Sequence, residues 1–155
     1  MIRPAGTKDI PELMRLLKQV NNVHAKGRPD LFLWDRTKYS EEELETLLKD
    51  ESRPVFVYPK GEGILGYAFC VWENHEGDHN QADRRTLYID DICVDEDARG
   101  QHVGTSLYQF VRAYAKEHGC YNLTLNVWSL NPGAHAFYEA MGMKPYKIGM
   151  EEILR

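Results

Sequence analysis

Two stretches of the chain carry residue types whose spacing suits chemistry. The first, YIDDICVDEDARGQHVGTSL, sets Asp90 and Asp91 inside an otherwise apolar run. A short acidic turn follows, and then Arg99, Gly100, Gln101, His102, Val103, Gly104 and Thr105 lead into an amphipathic pattern. A helix that starts there leaves backbone N–H groups unpaired at its positive end, which favours an anion such as a phosphate. Glycines let the backbone approach a ligand closely, and Arg99 adds a charge-assisted donor. The second stretch, NPGAHAFYEAMGM, offers Asn131 and Pro132 as a cap and first-turn pair for a helix that presents Tyr138.

Two other patterns do not carry the chemistry that they suggest. HEGDH, His75 to His79, matches a zinc-protease signature, which needs both imidazoles on one face of a helix. Gly77 and Asp78 stand between the histidines and no apolar stripe continues, so the segment reads as an exposed loop without a metal. A nucleotide-triphosphate loop would need Lys-Ser/Thr after its last glycine, whereas Gly104 is followed by Thr105-Ser106.

The positioning elements follow from periodicity. Ile2 to Ala5 reads as a short strand. Thr7 or Asp9 can cap a helix with Ile10, Leu13, Met14, Leu17 and Val20 on one face and Pro11 in its first turn. Asn22 to Lys38 reads as a long irregular connection, a place where binding residues are common. Ser40 with Glu43 forms a capping box ahead of Leu44, Leu47 and Leu48. PVFVY and ILGYAFCVW form a hairpin, a polar segment leads to TLYIDDICV, and LTLNVW is a fifth strand. The tail YKIGMEEIL is expected to add a last strand. The order β-α-α-β-β-β-α-β-α-β defines a mixed α/β sheet with helices on it.

The chain of 155 residues, 43% hydrophobic and 28% charged, fits one soluble domain spanning 1–155. A net charge of −5 and no Lys/Arg run speak against nucleic acid as a partner. No run approaches the roughly 18 apolar residues of a membrane span. Cys70, Cys93 and Cys120 read as free thiols in a reducing cytoplasm.

In this order the two stretches resemble the GCN5-related N-acetyltransferases (the GNAT superfamily). The family's R/Q-x-x-G-x-G/A motif aligns with Arg99–Gly104, and its Asn…Phe-Tyr…Gly segment with Asn131, Phe137, Tyr138 and Gly142. The resemblance implies an α/β (α+β) fold whose mixed, mostly antiparallel twisted sheet is flanked by helices and splays between the fourth and fifth strands. It implies acetyl-CoA as cosubstrate, no metal, and transfer of acetyl to a primary amine by direct attack in a ternary complex. The cosubstrate would lie against Ile92, Cys93 and Val94, where a bulge would aim an N–H at the thioester carbonyl, and against Arg99–Thr105 and Asn131.

Tyr138 matches the residue that protonates the departing thiolate. Asp90, placed by strand alternation on the opposite face from Asp91, matches an acidic residue of polyamine-acetylating members and is favoured as base or amine anchor. Asp91 is then structural, and Glu73 is the reserve. His24, Asp30, Trp34, Asn126 and Trp128 are candidate acceptor contacts. A small diamine or polyamine-like acceptor is the first expectation; a peptide or protein amine, an aminoglycoside, or a non-catalytic CoA-binding module are the alternatives. A homodimer is compatible with all of them. One position departs from the family: His102 stands where glycine is usual, so it either turns helical or displaces the pyrophosphate.

Overall fold

The computed structural model describes residues 1–155. Strand β1 (Arg3–Pro4) leads to helix α1 (Ile10–Gly27), α2 (Glu41–Leu47) and the meander β2 (Val55–Lys60), β3 (Gly63–His75) and β4 (Arg84–Val94). Helix α3 (Val103–Glu117), strand β5 (Asn122–Leu125) and helix α4 (Pro132–Ala140) complete the regular elements. The sheet runs in the order β1-β2-β3-β4-β5. The first four strands pair antiparallel, and β5 joins β4 in parallel.

Strand alternation divides the core into two layers. Val55, Val57, Tyr67 and Phe69 point to the side covered by α1 and α2, where they meet Leu13, Leu16, Leu17, Leu44 and Leu47. Phe56, Ala68 and Cys70 point to the other side, against Val103, Leu107 and Val111 of α3. Ser40 and Glu43 form the expected reciprocal cap on α2, which starts a helix of only seven residues.

The splay is visible in the pairing. The β4–β5 ladder covers Thr86–Ile89 against Asn122–Leu125 and stops there. From Asp90 to Val94 the outer edge of β4 has no partner strand, which leaves backbone donors and acceptors for an extended ligand.

Three boundaries differ from the expectation. Helix α1 continues to Gly27, because His24 and Ala25 prolong its inward stripe and Ala25 is buried. β5 ends at Leu125, so Asn126 and Trp128 lie in the following connection, not in the strand. The tail forms no strand: residues 144–155 make no backbone hydrogen bond, and Tyr146, Ile148, Met150, Ile153 and Leu154 are exposed. The C-terminal segment instead reaches α1, where Arg28 binds Glu151 at 2.9 Å.

Candidate active site

The two carboxylates of β4 share one face. Phe69 pairs with Asp91 and Cys70 with Ile89, so Asp90 is an extra residue, a β-bulge. One extra residue resets the alternation by one position. Asp90, Asp91 and Cys93 therefore all face the α1/α2 side, while Ile89, Ile92 and Val94 face α3. This corrects the opposite-face expectation for the two aspartates. It also moves the bulge from Ile92–Val94 to Asp90.

Their surroundings separate their properties. Asp90 accepts two hydrogen bonds from Lys38 Nζ, at 2.8 and 2.9 Å, and one from the Tyr39 hydroxyl at 3.1 Å. Burial works against the Lys38 charge, but the Asp90 contacts outweigh it and hold the ammonium above its usual range. Asp91 accepts a 2.6 Å bond from the Tyr67 hydroxyl. Burial pushes the Asp91 carboxyl up to about 6, the Tyr67 bond opposes this, and the Asp90 charge adds to it. Asp91 is thus not held by an arginine. It is a carboxyl whose charge is disfavoured, with some surface still accessible.

Tyr138 belongs to the α3 side of the sheet, its ring 6.3 Å from that of Tyr108, and it is near enough to Asp91 to feel that charge. Asn131 caps α4 by accepting the Ala134 N–H at 3.1 Å, and Pro132 fixes the first turn. Phe137 packs on α3, so that a Cβ on Gly104 would lie 3.5 Å from its ring. Tyr138 is thereby turned inward. Burial, then the negative charge of Asp91, raise its phenol above the usual range and keep it protonated.

The start of α3 forms the anion cradle. Gly100 has φ 81° and His102 has φ 61°, ψ 23°. His102 is thus left-handed: it keeps the backbone path of a glycine and neither joins the helix nor blocks the turn. Histidine tolerates this region better than most residues. No side chain caps the helix, so its first-turn N–H groups are free for a ligand. Gly104 completes the cradle, since a Cβ there would come within 3.3 Å of Val94. Arg99 and Gln101 are exposed beside it. Val103 is a core residue by its side chain and can contribute only its backbone. The same holds for Cys93, whose sulfur approaches the Leu16 carbonyl. These features fit a pyrophosphate and an extended pantetheine.

The candidate acceptor contacts divide. His24, Phe32 and Trp128 form one aromatic cluster, with centroids 5.0 to 6.2 Å apart. Burial, then the Lys38 charge, lower the His24 pKa. Asn126 donates to the Tyr88 hydroxyl at 3.2 Å, on the same side. Asp30 is instead paired with Arg28. Trp34 lies with Lys18, Gln19 and Lys26 around a separate shallow concavity of about 440 Å³. Glu73 pairs in register with Thr86, farther along the sheet, beside His75. The sequence reading missed Lys38, Tyr39 and Tyr67. Their only signal was that polar groups near a buried carboxylate pair must come from somewhere. His75 ends β3 and His79 is exposed in the turn after it.

The fold and the cradle at the start of α3 define a class. The Acetyltransferase (GNAT) family profile matches residues 16–143, and the chain belongs to this family. It is an acetyl-CoA-dependent N-acetyltransferase. Among similar proteins, the thialysine N-epsilon-acetyltransferase of Bos taurus is 26% identical over 157 residues, covering 92% of this chain and 82% of that one. A crystal structure of a mutant BH1408 protein from Bacillus halodurans superposes with a TM-score of 0.95 at 31% identity, covering 100% and 99% of the two chains. The aminoglycoside N-acetyltransferase AAC(6')-Iy in complex with CoA shares the fold, with a TM-score of 0.72 at 15% identity over 100% and 99%.

Proposed function

We propose that the whole chain works as one N-acetyltransferase for a small acceptor bearing a primary amine, a diamine or an amino-acid-like amine, in a reducing cytoplasm. The observation that carries this reading is that Asp90 already holds a primary ammonium, that of Lys38. An acceptor amine entering beside the His24–Phe32–Trp128 cluster takes the place of Lys38. The name of the cattle relative, an acetyltransferase acting on the ε-amine of thialysine, supports an amine on a short flexible chain.

Acetyl-CoA, when bound at the α3 cradle, supplies the activated acetyl group. The chain's residues do the rest. An alkylammonium with pKa near 10.4 must lose a proton before attack, which costs about 4.6 kcal/mol at pH 7. Asp90 anchors the cation. Asp91, poised at about 6, accepts the proton, directly or through water. Of the two roles expected for Asp90, base or amine anchor, this reading keeps the anchor and gives the base to Asp91. Tyr138, protonated throughout the working range, donates a hydrogen bond to the leaving sulfur. Backbone groups of β4 beyond Ile89 pair with the extended pantetheine and orient the thioester.

Steady-state kinetics over a panel of primary amines tests the assignment. Asp90→Asn raises KM for the best amine by about 10- to 100-fold, the worth of a hydrogen bond to a charged group. Lys38→Met lowers that KM, because the internal competitor is gone. Equal KM values in both variants would remove Asp90 as the anchor. Binding of acetyl-CoA without turnover of any amine would favour a CoA-binding module.

A further inference from the structure

One primary amine of the chain already occupies the place that the proposed reaction gives to the acceptor. Of nine lysines, Lys18 and Lys38 alone form ion pairs, and the Lys18 contact with Asp35 is long, at 3.9 Å. Lys38 Nζ instead reaches both oxygens of Asp90, at 2.8 and 2.9 Å. Asp90 is the bulged residue after which β4 has no outer partner, so this amine sits where the unpaired edge begins.

The surrounding turn fixes that placement. The Tyr39 ring stacks on Phe69, with 5.8 Å between centroids and 16° between planes, and its hydroxyl donates to Asp90 at 3.1 Å. On the other side, the Thr37 hydroxyl donates to the Tyr39 carbonyl at 2.8 Å, and Ser40 caps α2. Lys38 thus stands between anchored neighbours. Its own side chain is 54% exposed, against 15% for that of Asp90. A flexible stem in solvent, held only by its charged head, can withdraw once the head is neutral.

We propose, resting on the reading of Asp90 as the amine anchor, that Lys38 is the chain's own acetyl acceptor. Without a free amine, the acetyl group of the bound cosubstrate passes to Lys38 Nζ of the same chain, and the acetylated arm then leaves Asp90 open. The Lys38 ammonium gives one proton to Asp91, whose charge it feels, and the N–C bond forms as the thioester C–S bond breaks. The second proton of the nitrogen ends on the departing sulfur, so the products are a neutral amide and a thiol. A well-placed intramolecular amine reacts at an effective concentration far above that of a dissolved one. Its proton is held above the usual range by Asp90, which slows the step without preventing it. A free acceptor at saturation displaces Lys38 and suppresses the transfer. One positive charge is lost, and Asp90 keeps only the Tyr39 hydroxyl until an acceptor ammonium arrives. The modification is a priming step that removes the internal competitor.

The test is incubation of the full chain with ¹³C-acetyl-CoA and no amine, followed by intact-mass and peptide analysis and by isoelectric focusing after CoA is removed. The expected result is one acetyl group per chain on Lys38, a band shifted by one lost positive charge, and a rate constant independent of chain concentration. The best amine of the panel, added at saturation, suppresses the label. The primed chain then shows a KM for that amine about 5-fold lower, the upper range for an exposed ion pair. Label spread over other lysines, or equally strong on Lys38 of the urea-unfolded chain, would mean chemical acetylation and overturn the proposal. So would a rate constant that rises with chain concentration, which would mean transfer between molecules, or an unchanged KM after full labelling. A Lys38 without acetyl, in a chain whose amine KM rises in Asp90→Asn, sinks the self-acetylation alone. A Lys38 without acetyl, with KM indifferent to Asp90→Asn, removes the anchor reading as well.

Discussion

Two aspartates adjacent in sequence do different work because their neighbours differ. Asp90 is paired with an ammonium and a phenol, while Asp91 sits against Tyr67 with no cation in contact. With its carboxyl at about 6, Asp91 must be ionised to accept a proton. The pH profile of kcat/KM is therefore expected to fall about tenfold per unit below pH 6 and to flatten above it. Asp91→Asn removes that limb and lowers the plateau by about 10² or more. The same shift has a sign for stability. The folded state holds this proton more tightly than the unfolded chain, whose value is near 3.8, so the contribution is present below about 4 and is lost as pH rises through 6. At pH 7 the ionised form is a cost, of order 3 kcal/mol. Thermal unfolding of Asp91→Asn at pH 7 should thus show a higher Tm than the parent, in an enzyme that has lost activity. A lower Tm would mean that the Tyr67 bond matters more than desolvation. The sequence showed that two carboxylates sat in an apolar strand, but not which was which. Lys38 and Tyr39, which decide it, come from a connection without periodicity.

At the scale of elements, most of what patterns encode was readable. The α2 capping box, the Asn131 cap with Pro132 and the inward stripe of α3 all depend on residues within one turn of each other, which is why they could be read locally. The bulge could not, because it is a mismatch in count between β3 and β4 and belongs to neither strand alone. For the same reason parity misassigned Asp90, which alternation puts with Ile92 and Val94 and the bulge turns to the face of Asp91. The turn into α3 was legible as a cradle, and the structure adds that His102 holds a glycine's conformation at the usual price of left-handed backbone, about 1 kcal/mol. His102→Gly is accordingly expected to keep or tighten acetyl-CoA affinity in calorimetry, and a large loss would make the imidazole itself a ligand. Gly66 is a different kind of glycine. A Cβ there would meet the Cys93 carbonyl oxygen at 2.7 Å, backbone that cannot swing aside. Gly66→Ala should cost about 1–3 kcal/mol in denaturant unfolding, by prising β3 from β4 beneath the cleft.

Across the whole molecule the architecture was the most legible feature, since element order and two motifs in sequence sufficed for it. The exception was the tail, whose alternation promised a strand. A strand needs a neighbour, and sequence does not say in which molecule that neighbour lies. The β4–β5 ladder described above has a further consequence. Four residue pairs are the only sheet connection between the β5–α4 portion and the meander, and no side chain of α4 is fully buried. Opening this wing breaks few sheet hydrogen bonds, so its local unfolding free energy lies below the global value. Hydrogen exchange should be faster for amides of 122–125 and 134–141 than for those of β3 and α3, and acetyl-CoA, packed between the wing and β4, should slow it. Equal protection of both regions in the free protein would refute this. Tyr138 thus rides on a wing that only four residue pairs hold to the sheet: in the proposed reaction, product escape and loss of its alignment are the same small motion, and the cosubstrate acts as the clasp that holds it shut.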